Sequence, residues 1–406
     1  MKKILIIGAG GQIGSELTTY LRGIYGSRNV VATDVRECKA LGADGPFEVL
    51  DALNATSVAS VVARHEIDTI FNLVALLSAV GERNPQMAWH VNIGALMNSL
   101  EVARQHHCAL FTPSSIGAFG PSSPKVRTPQ DTVMQPTTIY GICKVTGEML
   151  GNYYHHKYGV DTRSIRFPGI ISNVTLPGGG TTDYAVEIYY EAIRSGRYTC
   201  AVPHDVYMDM IYMPDVLRAC VELMEADPAR LRHRNSFNIA SMSFTPDIIA
   251  AEIRKRIPSF TMDFNIDPVK EEIARSWPDS LDDTCAREEW GWRPEWDLSR
   301  MTDDMLAAYP SRGRRKGRRC RPAGRRPRDK SRSGPARRRS RASPACRTGP
   351  SPETAPDARP GNRAFLLPFA APPMEIFFSS IAHGPANFHL VRPGFRLTKR
   401  KNLLII

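Results

Sequence analysis

Ile4-Leu5-Ile6-Ile7-Gly8-Ala9-Gly10-Gly11-Gln12-Ile13-Gly14 joins a four-residue apolar run to glycines at positions 8, 11 and 14. A run that short and that uniformly apolar suits a strand covered on both faces. Glycines at this spacing permit a tight turn and close backbone approach to a pyrophosphate, which rests on the positive end of the following helix. Gly8, Gly11, Gln12, Ile13 and Gly14 are therefore read as cofactor-binding positions. A glycine trio alone is equally a plain turn; its place between a strand and a helix is what favours the phosphate. Asp34 falls 20 residues after Gly14, following the next apolar run, Val30-Val31-Ala32. A carboxylate there can hydrogen-bond both ribose hydroxyls of adenosine and would repel a 2′-phosphate, so NAD is expected rather than NADP. Arg36 is the nearby residue that speaks for a 2′-phosphate.

Working outward, further apolar runs lie at Thr69–Leu73 and Ala109–Thr112, with helical patterns between the runs at Ile13–Tyr25, Ser57–His65 and Trp89–His106. This alternation predicts a parallel sheet with helices on both faces, joined by right-handed crossovers. The expected fold class is α/β: a Rossmann-type doubly wound parallel sheet with a smaller C-terminal substrate lobe and a disordered basic tail. Residues 1–170 form the dinucleotide-binding domain. Residues 171–310 form mainly the substrate lobe, interwoven with the first domain, and residues 311–406 form the tail. In the lobe, Asp215–Met224 and Thr245–Arg256 read as helices, the second with Thr245 as its N-cap and Pro246 at its first position. Phe237–Ile239 and Met262–Ile266 read as strands.

The 406 residues carry a net charge of +12, unevenly placed. Residues 311–406 hold 24 Lys and Arg against 4 Asp and Glu, leaving 29 against 37 in residues 1–310. The globular part is thus mildly acidic, and the basic character belongs to the tail. Residues 312–341 are dense in Arg, Gly, Pro and Ser and contain no aromatic side chain. Such a segment cannot bury enough surface to offset its ordering entropy. It could contact nucleic-acid phosphates without sequence preference, but it offers no base-stacking platform. Its composition also resembles a shifted reading of GC-rich coding sequence, and that reading is preferred. The eight cysteines include no C-x-x-C pair, which argues against a zinc ribbon and fits a reducing cytoplasm. No stretch is long and apolar enough to span a membrane. His106-His107 and His155-His156 are adjacent pairs rather than ligand spacings, so no metal is expected.

Tyr140-Gly141-Ile142-Cys143-Lys144 sets a phenol and an ammonium one helical turn apart, on one face of a helix. A neighbouring ammonium favours a phenolate over a phenol and makes it a usable base near neutral pH. The same spacing occurs on plain solvated helices, so the pair alone decides little. Ser114 and Ser115 lie upstream, after the fourth apolar run, at the sheet edge where ligands bind in such folds.

Together, Gly8, Gly11, Gly14, Asp34, Ser115 and the Tyr140–Lys144 pair resemble the extended short-chain dehydrogenase/reductase superfamily over roughly residues 1–308. The resemblance implies that Tyr140 is the acid/base, that Lys144 binds the ribose and tunes Tyr140, and that Ser115, rather than Ser114, orients the substrate oxygen. It adds Asn92 as a helper of a water relay. It also places Asp51 and Ala52 at the adenine side, Leu73 and Ala75 after the third strand, and Pro168 against the cofactor. Within the superfamily the chain is most similar to the metal-independent, short-chain type of L-threonine 3-dehydrogenase. The stretches Leu76–Glu82, Pro113–Gly120, Gly178–Ala185 and Ser276–Asp283 carry that likeness. Position 10 departs from it, with Gly where Ser is expected. The likeness implies an NAD-dependent oxidation of the L-threonine β-hydroxyl to 2-amino-3-oxobutyrate. It sets Ser78, Ser115, Tyr140, Thr181, Thr182 and Trp277 around the amino acid, with Gly178–Gly180 as a closing loop. Trp277 reads equally well as lobe core.

Superfamily members often pair the helices expected at Trp89–His106 and Tyr140–Tyr158, so a homodimer is expected. The alternative is a related nucleotide-sugar epimerase or dehydratase, for which Arg194, Arg197 and Arg218 could hold a nucleoside diphosphate.

Overall fold

The computed structural model describes residues 1–175 and 180–316. Gly178 and Gly179 of the expected closing loop, and the basic tail beyond residue 316, lie outside the described residues. The strands are β1 (Ile4–Ile7), β2 (Val30–Asp34), β3 (Phe47–Val49), β4 (Thr69–Asn72), β5 (Ala109–Phe111), β6 (Ser114–Ser115), β7 (Thr162–Phe167), β8 (Gly169–Ile171), β9 (Arg197–Cys200), β10 (Met208–Tyr212), β11 (Asn235–Asn238), β12 (Met242–Phe244) and β13 (Thr261–Phe264). The helices are α1 (Gln12–Tyr25), α2 (Lys39–Ala43), α3 (Ala55–Arg64), α4 (Ser78–Arg83), α5 (Pro85–His106), α6 (Ile139–Tyr158), α7 (Tyr184–Ser195), α8 (Met213–Glu225), α9 (Pro246–Arg254), α10 (Pro268–Ser276), α11 (Thr284–Glu289) and α12 (Leu298–Lys316).

Eight strands form one sheet in the order β11-β7-β5-β4-β1-β2-β3, with β6 beside β7. Every pairing in it is parallel. Alternate residues of each strand feed two cores. Ile4, Ile6, Ala32, Phe71 and Phe111 pack on one side with Leu17 and Leu21 of α1 and Val216 of α8. Leu5, Ile7, Val31, Ile70 and Leu110 pack on the other with Val58 of α3, Ala95 of α5 and Tyr154 of α6. Burial on both faces is why β1 is a continuous apolar run rather than an alternating one. The doubly wound parallel sheet expected from the sequence is the fold observed. The order turns at β1, whose neighbours β2 and β4 continue in opposite directions. Such a switch point leaves a crevice at the carboxyl ends of the strands.

A third core gathers Ile188 and Tyr189 of α7, Tyr212, Phe244, Ile249, Phe260, Trp277 and Met301. It packs around the sheet β12-β10-β8, with β9 and β13 forming a separate pair. β11 lies late in the chain yet pairs with β7 in the main sheet. Thr245 caps α9 as read from the sequence, its side chain accepting from the Ile248 N–H at 3.3 Å. Helical backbone continues in α12 to Lys316, past residue 310, where the basic tail was expected to begin.

β7 does not read as a strand because it holds Arg163 and Arg166, which are nevertheless 3% and 5% exposed. Arg163 pairs with Asp161 at 2.7 Å and donates to the carbonyls of Leu223, Met224 and Ala226, at the end of α8. A cation there satisfies carbonyls that have no partner within the helix and complements the negative end of its dipole.

Candidate active site

The glycine turn leaves β1 at the switch point. Gly8 adopts φ +86°, and a Cβ on it would stand 3.2 Å from the backbone of Leu73 and Val74, at the end of β4. A Cβ on Gly14 would meet the Gly8 carbonyl oxygen at 2.3 Å. Only glycine therefore lets α1 start this close to β1. α1 begins at Gly11 with no side-chain cap and no acidic residue in its first turn. Its first N–H groups and positive dipole end are left for an anion. This cradle fits the pyrophosphate of a dinucleotide.

Gly8, Gly11, Gln12, Ile13, Gly14, Leu73, Ala75 and Pro168 line one open cleft, together with Ser78, Ser114, Ser115, Tyr140, Lys144, Thr181, Thr182 and Trp277. Thr138 caps α6 and accepts from Gly141 N–H at 3.1 Å, which fixes the helix start just before Tyr140. Tyr140 and Lys144 then share a face of α6, with Lys144 Nζ 5.3 Å from the Tyr140 ring centre. Lys144 Nζ also donates to the Pro113 carbonyl at 2.6 Å. That bond ties the ammonium to the end of the sheet.

The two serines of β6 separate cleanly. Ser114 is buried, and its hydroxyl donates to Glu148 Oε1 at 2.5 Å. Ser115 is half-buried, with its oxygen accepting only the Gly117 N–H, at 3.1 Å. A Cβ built on Gly117 would lie 3.3 Å from the Tyr140 ring and 3.5 Å from Ser115 Oγ. Ser115 Oγ and the Tyr140 ring therefore lie close together beside the buried Gly117, and both residues line the cleft.

Across the cleft, Thr181 is 1% exposed and its hydroxyl oxygen has no hydrogen-bond partner among the described residues. A buried hydroxyl without a partner is costly unless a ligand supplies one. Ser78 is buried at the first turn of α4. Trp277 belongs to the lobe core and also lines the cleft.

The sequence model of the NAD-dependent epimerase/dehydratase family matches residues 4–240. The chain belongs to that family. An uncharacterised epimerase/dehydratase of Staphylococcus haemolyticus is 53% identical over 318 residues, covering 78% of this chain and 100% of that protein. Among solved structures, an L-threonine dehydrogenase from Clostridium difficile is 51% identical with a TM-score of 0.76, covering 77% of this chain and 99% of that one. The holo form of a GalE-like L-threonine dehydrogenase from Cupriavidus necator is 49% identical with a TM-score of 0.74, covering 76% and 99%. This epimerase/dehydratase family member is an NAD-dependent enzyme, and its cofactor is NAD.

Four residues singled out in the sequence do not line the cleft of this family member. Asp34 ends β2 and accepts the Gly10 N–H at 2.9 Å and the Arg36 N–H at 3.1 Å. A Cβ on Gly10 would approach Asp34 Oδ2 to 2.9 Å, which accounts for glycine at position 10. Asp51 is exposed and caps the Leu53 N–H; Ala52 is buried beside it. Asn92 makes two hydrogen bonds to the backbone of Leu76, at 2.7 and 3.1 Å. It holds the chain after β4 and lines a smaller cavity behind Lys144.

Sequence reasoning passed over the support beneath this site. Arg166 forms a two-pronged pair with Glu148, at 3.0 and 2.9 Å, with both side chains buried. Arg166 also donates to the Gln130 carbonyl and to Asn238. Glu148 in turn accepts from Ser114, the neighbour of Ser115. The one available signal was that Glu148 lies one turn beyond Lys144 on α6.

Asp209 on β10 is 1% exposed, and its Oδ2 accepts the Leu281 N–H at 2.9 Å, behind the segment that carries Trp277. Burial pushes this carboxyl up to about 8, and the nearby charge of Asp283 adds to the shift. A carboxyl raised in the fold stabilises it fully below the unfolded value of about 4 and loses that contribution as pH rises through about 8. The wild-type melting temperature is therefore expected to fall between about pH 5 and 8, and Asp209→Asn should flatten that slope. Parallel profiles for the two proteins, from thermal melts across the range, would count against this role.

Proposed function

We propose that this enzyme oxidises the β-hydroxyl of L-threonine to 2-amino-3-oxobutyrate. One observation carries the reading. Tyr140, Ser115, Ser78, the partnerless Thr181 hydroxyl and Trp277 converge on one cleft whose single cationic side chain among the described residues is Lys144. That lining suits a small amino acid and leaves nothing to hold a nucleoside diphosphate. Arg194 and Arg218 are instead paired with Glu191 and with Asp215 and Glu222, and neither they nor Arg197 lines the cleft. The L-threonine dehydrogenases that share about half its residues support the same substrate.

Gly8, Gly11, Gln12, Ile13 and Gly14 would hold the pyrophosphate, Asp34, Asp51 and Ala52 the adenosine end, and Leu73, Ala75 and Pro168 the walls beside it. Bound NAD supplies the hydride acceptor. The Tyr140 oxygen takes the proton of the substrate hydroxyl, with the Lys144 ammonium 5.3 Å from its ring centre. Ser115 donates a hydrogen bond to the substrate oxygen as charge develops on it. Ser78, Thr181 and Thr182 offer hydroxyls to the carboxylate and ammonium, and Trp277 closes the apolar side and excludes water.

The deciding experiment adds L-threonine and NAD to the purified chain and follows NADH absorbance. Steady accumulation is expected with threonine and none with a UDP-hexose. Interconversion of UDP-hexoses without net NADH would replace this reading with the epimerase one. Thr181→Val keeps the shape of the side chain but removes its hydroxyl, and should raise the KM for threonine about tenfold, the worth of one buried hydrogen bond. An unchanged KM would place Thr181 outside the substrate contacts.

The same proposal includes a homodimer. α5 and α6 pack side by side, and the exposed Trp89, Ile142, Met149 and Tyr153 stand on them. Apolar side chains clustered this way mark a face that another chain covers. No helix among the described residues is long and apolar enough to cross a membrane. The six described cysteines are free, which suits a reducing cytoplasm.

A further inference from the structure

His233, Cys285 and Glu289 are far apart or weakly patterned in sequence, and the sequence analysis expected no metal. The fold brings one donor atom of each within 4.8 Å of the others. His233 precedes β11, while Cys285 and Glu289 stand one turn apart on α11. None of them lines the cleft.

The cluster is already organised. Glu289 is 3% exposed, and its Oε2 accepts the N–H groups of Arg232 and His233, at 2.6 and 3.2 Å. Its Oε1 faces His233 Nδ1 at 2.5 Å. The His233 ring is held edge-on to Phe237, with centres 6.2 Å apart. On its far side, His233 Nε2 lies 3.3 Å from Asp131 Oδ2. Cys285 is a free, half-buried thiol. Nitrogen, thiol and carboxylate donors thus meet at one place. The positive group nearest to it is Arg232, whose Nε is 3.4 Å from Glu289 Oε1. That side chain is 69% exposed and also pairs with the exposed Glu288 at 3.7 Å, a partner that stays available when an ion takes Glu289.

We propose that His233, Cys285 and Glu289 bind a divalent metal ion of the zinc class, with water as the fourth ligand. Thiolate and imidazole together select zinc or a neighbouring transition metal over magnesium and calcium, which take oxygen ligands. Tetrahedral zinc with bonds of about 2.0–2.3 Å sets its ligand atoms a little over 3 Å apart, within reach of this cluster by side-chain rotation. Binding displaces the thiol proton to solvent and leaves the sulfur as thiolate. The ion would pin α11 to the start of β11, next to the loop at residue 131, whose Asp131 Oδ2 lies 3.3 Å from His233 Nε2. That loop reaches the catalytic support, since the Gln130 carbonyl accepts from Arg166.

The test uses the full chain, stripped with a chelator, desalted and titrated with Zn²⁺ alone, and separately with Co²⁺. One high-affinity equivalent and a thiolate-to-cobalt charge-transfer band are expected. Cys285→Ser should abolish the band and weaken zinc at least about tenfold, the scale on which lost support weakens metal sites. His233→Gln, which keeps the thiol, should weaken zinc likewise. Cys285→Ser should leave NADH production unchanged, so the metal readout stands or falls separately from the proposed activity. Absence of the cobalt band in the wild-type chain, or equal zinc affinity in the wild type and Cys285→Ser, overturns the site.

Discussion

Tyr140→Phe is expected to lower threonine turnover by about 10²–10⁴-fold while leaving NAD binding intact, the usual range for losing a positioned acid/base. The substitution removes one oxygen and nothing else. The ring still packs against Gly117 and still faces Lys144 Nζ at 5.3 Å. The cofactor cradle of Gly8, Gly11 and Gly14 belongs to other elements and is untouched. Stopped-flow turnover alongside fluorescence titration with NADH would separate the two effects. A variant that turned over within tenfold of the wild type would remove Tyr140 from the chemistry. The serines supply an internal control. Ser115→Ala should cost turnover with little change in stability, because its oxygen makes only one weak bond to its own turn. Ser114→Ala should do the reverse, since that hydroxyl is buried against Glu148.

Arg166→Met should destabilise the fold by about 3–5 kcal/mol, because it strands the buried Glu148 carboxylate without its partner. It also frees the Gln130 carbonyl and Asn238. Urea denaturation would register the loss as a lower midpoint. The double variant Glu148→Leu/Arg166→Met, with both charges gone, should recover much of it, since replacing a whole buried ion pair by apolar groups is often close to neutral. A double variant as unstable as the single one would show that the lost contacts to Gln130 and Asn238, rather than the stranded charge, set the cost. Turnover should fall as well in the single variant, because Glu148 holds Ser114 beside Ser115.

The first half of the molecule was legible because its signals are local. A fully buried strand must be apolar throughout, and a phosphate-binding turn must shed its side chains. Residues 4–14 satisfy both within one short stretch, and β1, α1 and the cleft wall lie where that stretch implies. The Tyr140–Lys144 pair was legible for the same reason, since a single helical turn fixes its geometry. Two of the functional positions carry structural bonds that the sequence did not signal. Asp34 ends its strand as expected, yet its carboxylate serves the glycine turn. Asn92 is committed to the Leu76 backbone.

By itself, then, the sequence determined the doubly wound sheet, the dinucleotide cradle and the phenol–ammonium pair, all set by residues within a turn or a strand of one another. Tertiary structure alone decided the rest. β7 is a central strand despite two arginines, because Asp161, Glu148 and the carbonyls ending α8 neutralise them. Both serines of β6 line the cleft, but the Ser114 hydroxyl is taken by Glu148, which reaches across from α6. His233, Cys285 and Glu289 meet only when α11 docks beside β11. In each case the deciding partner comes from a distant part of the chain, and the pattern of neighbouring residues carries no trace of a charge satisfied from across the fold.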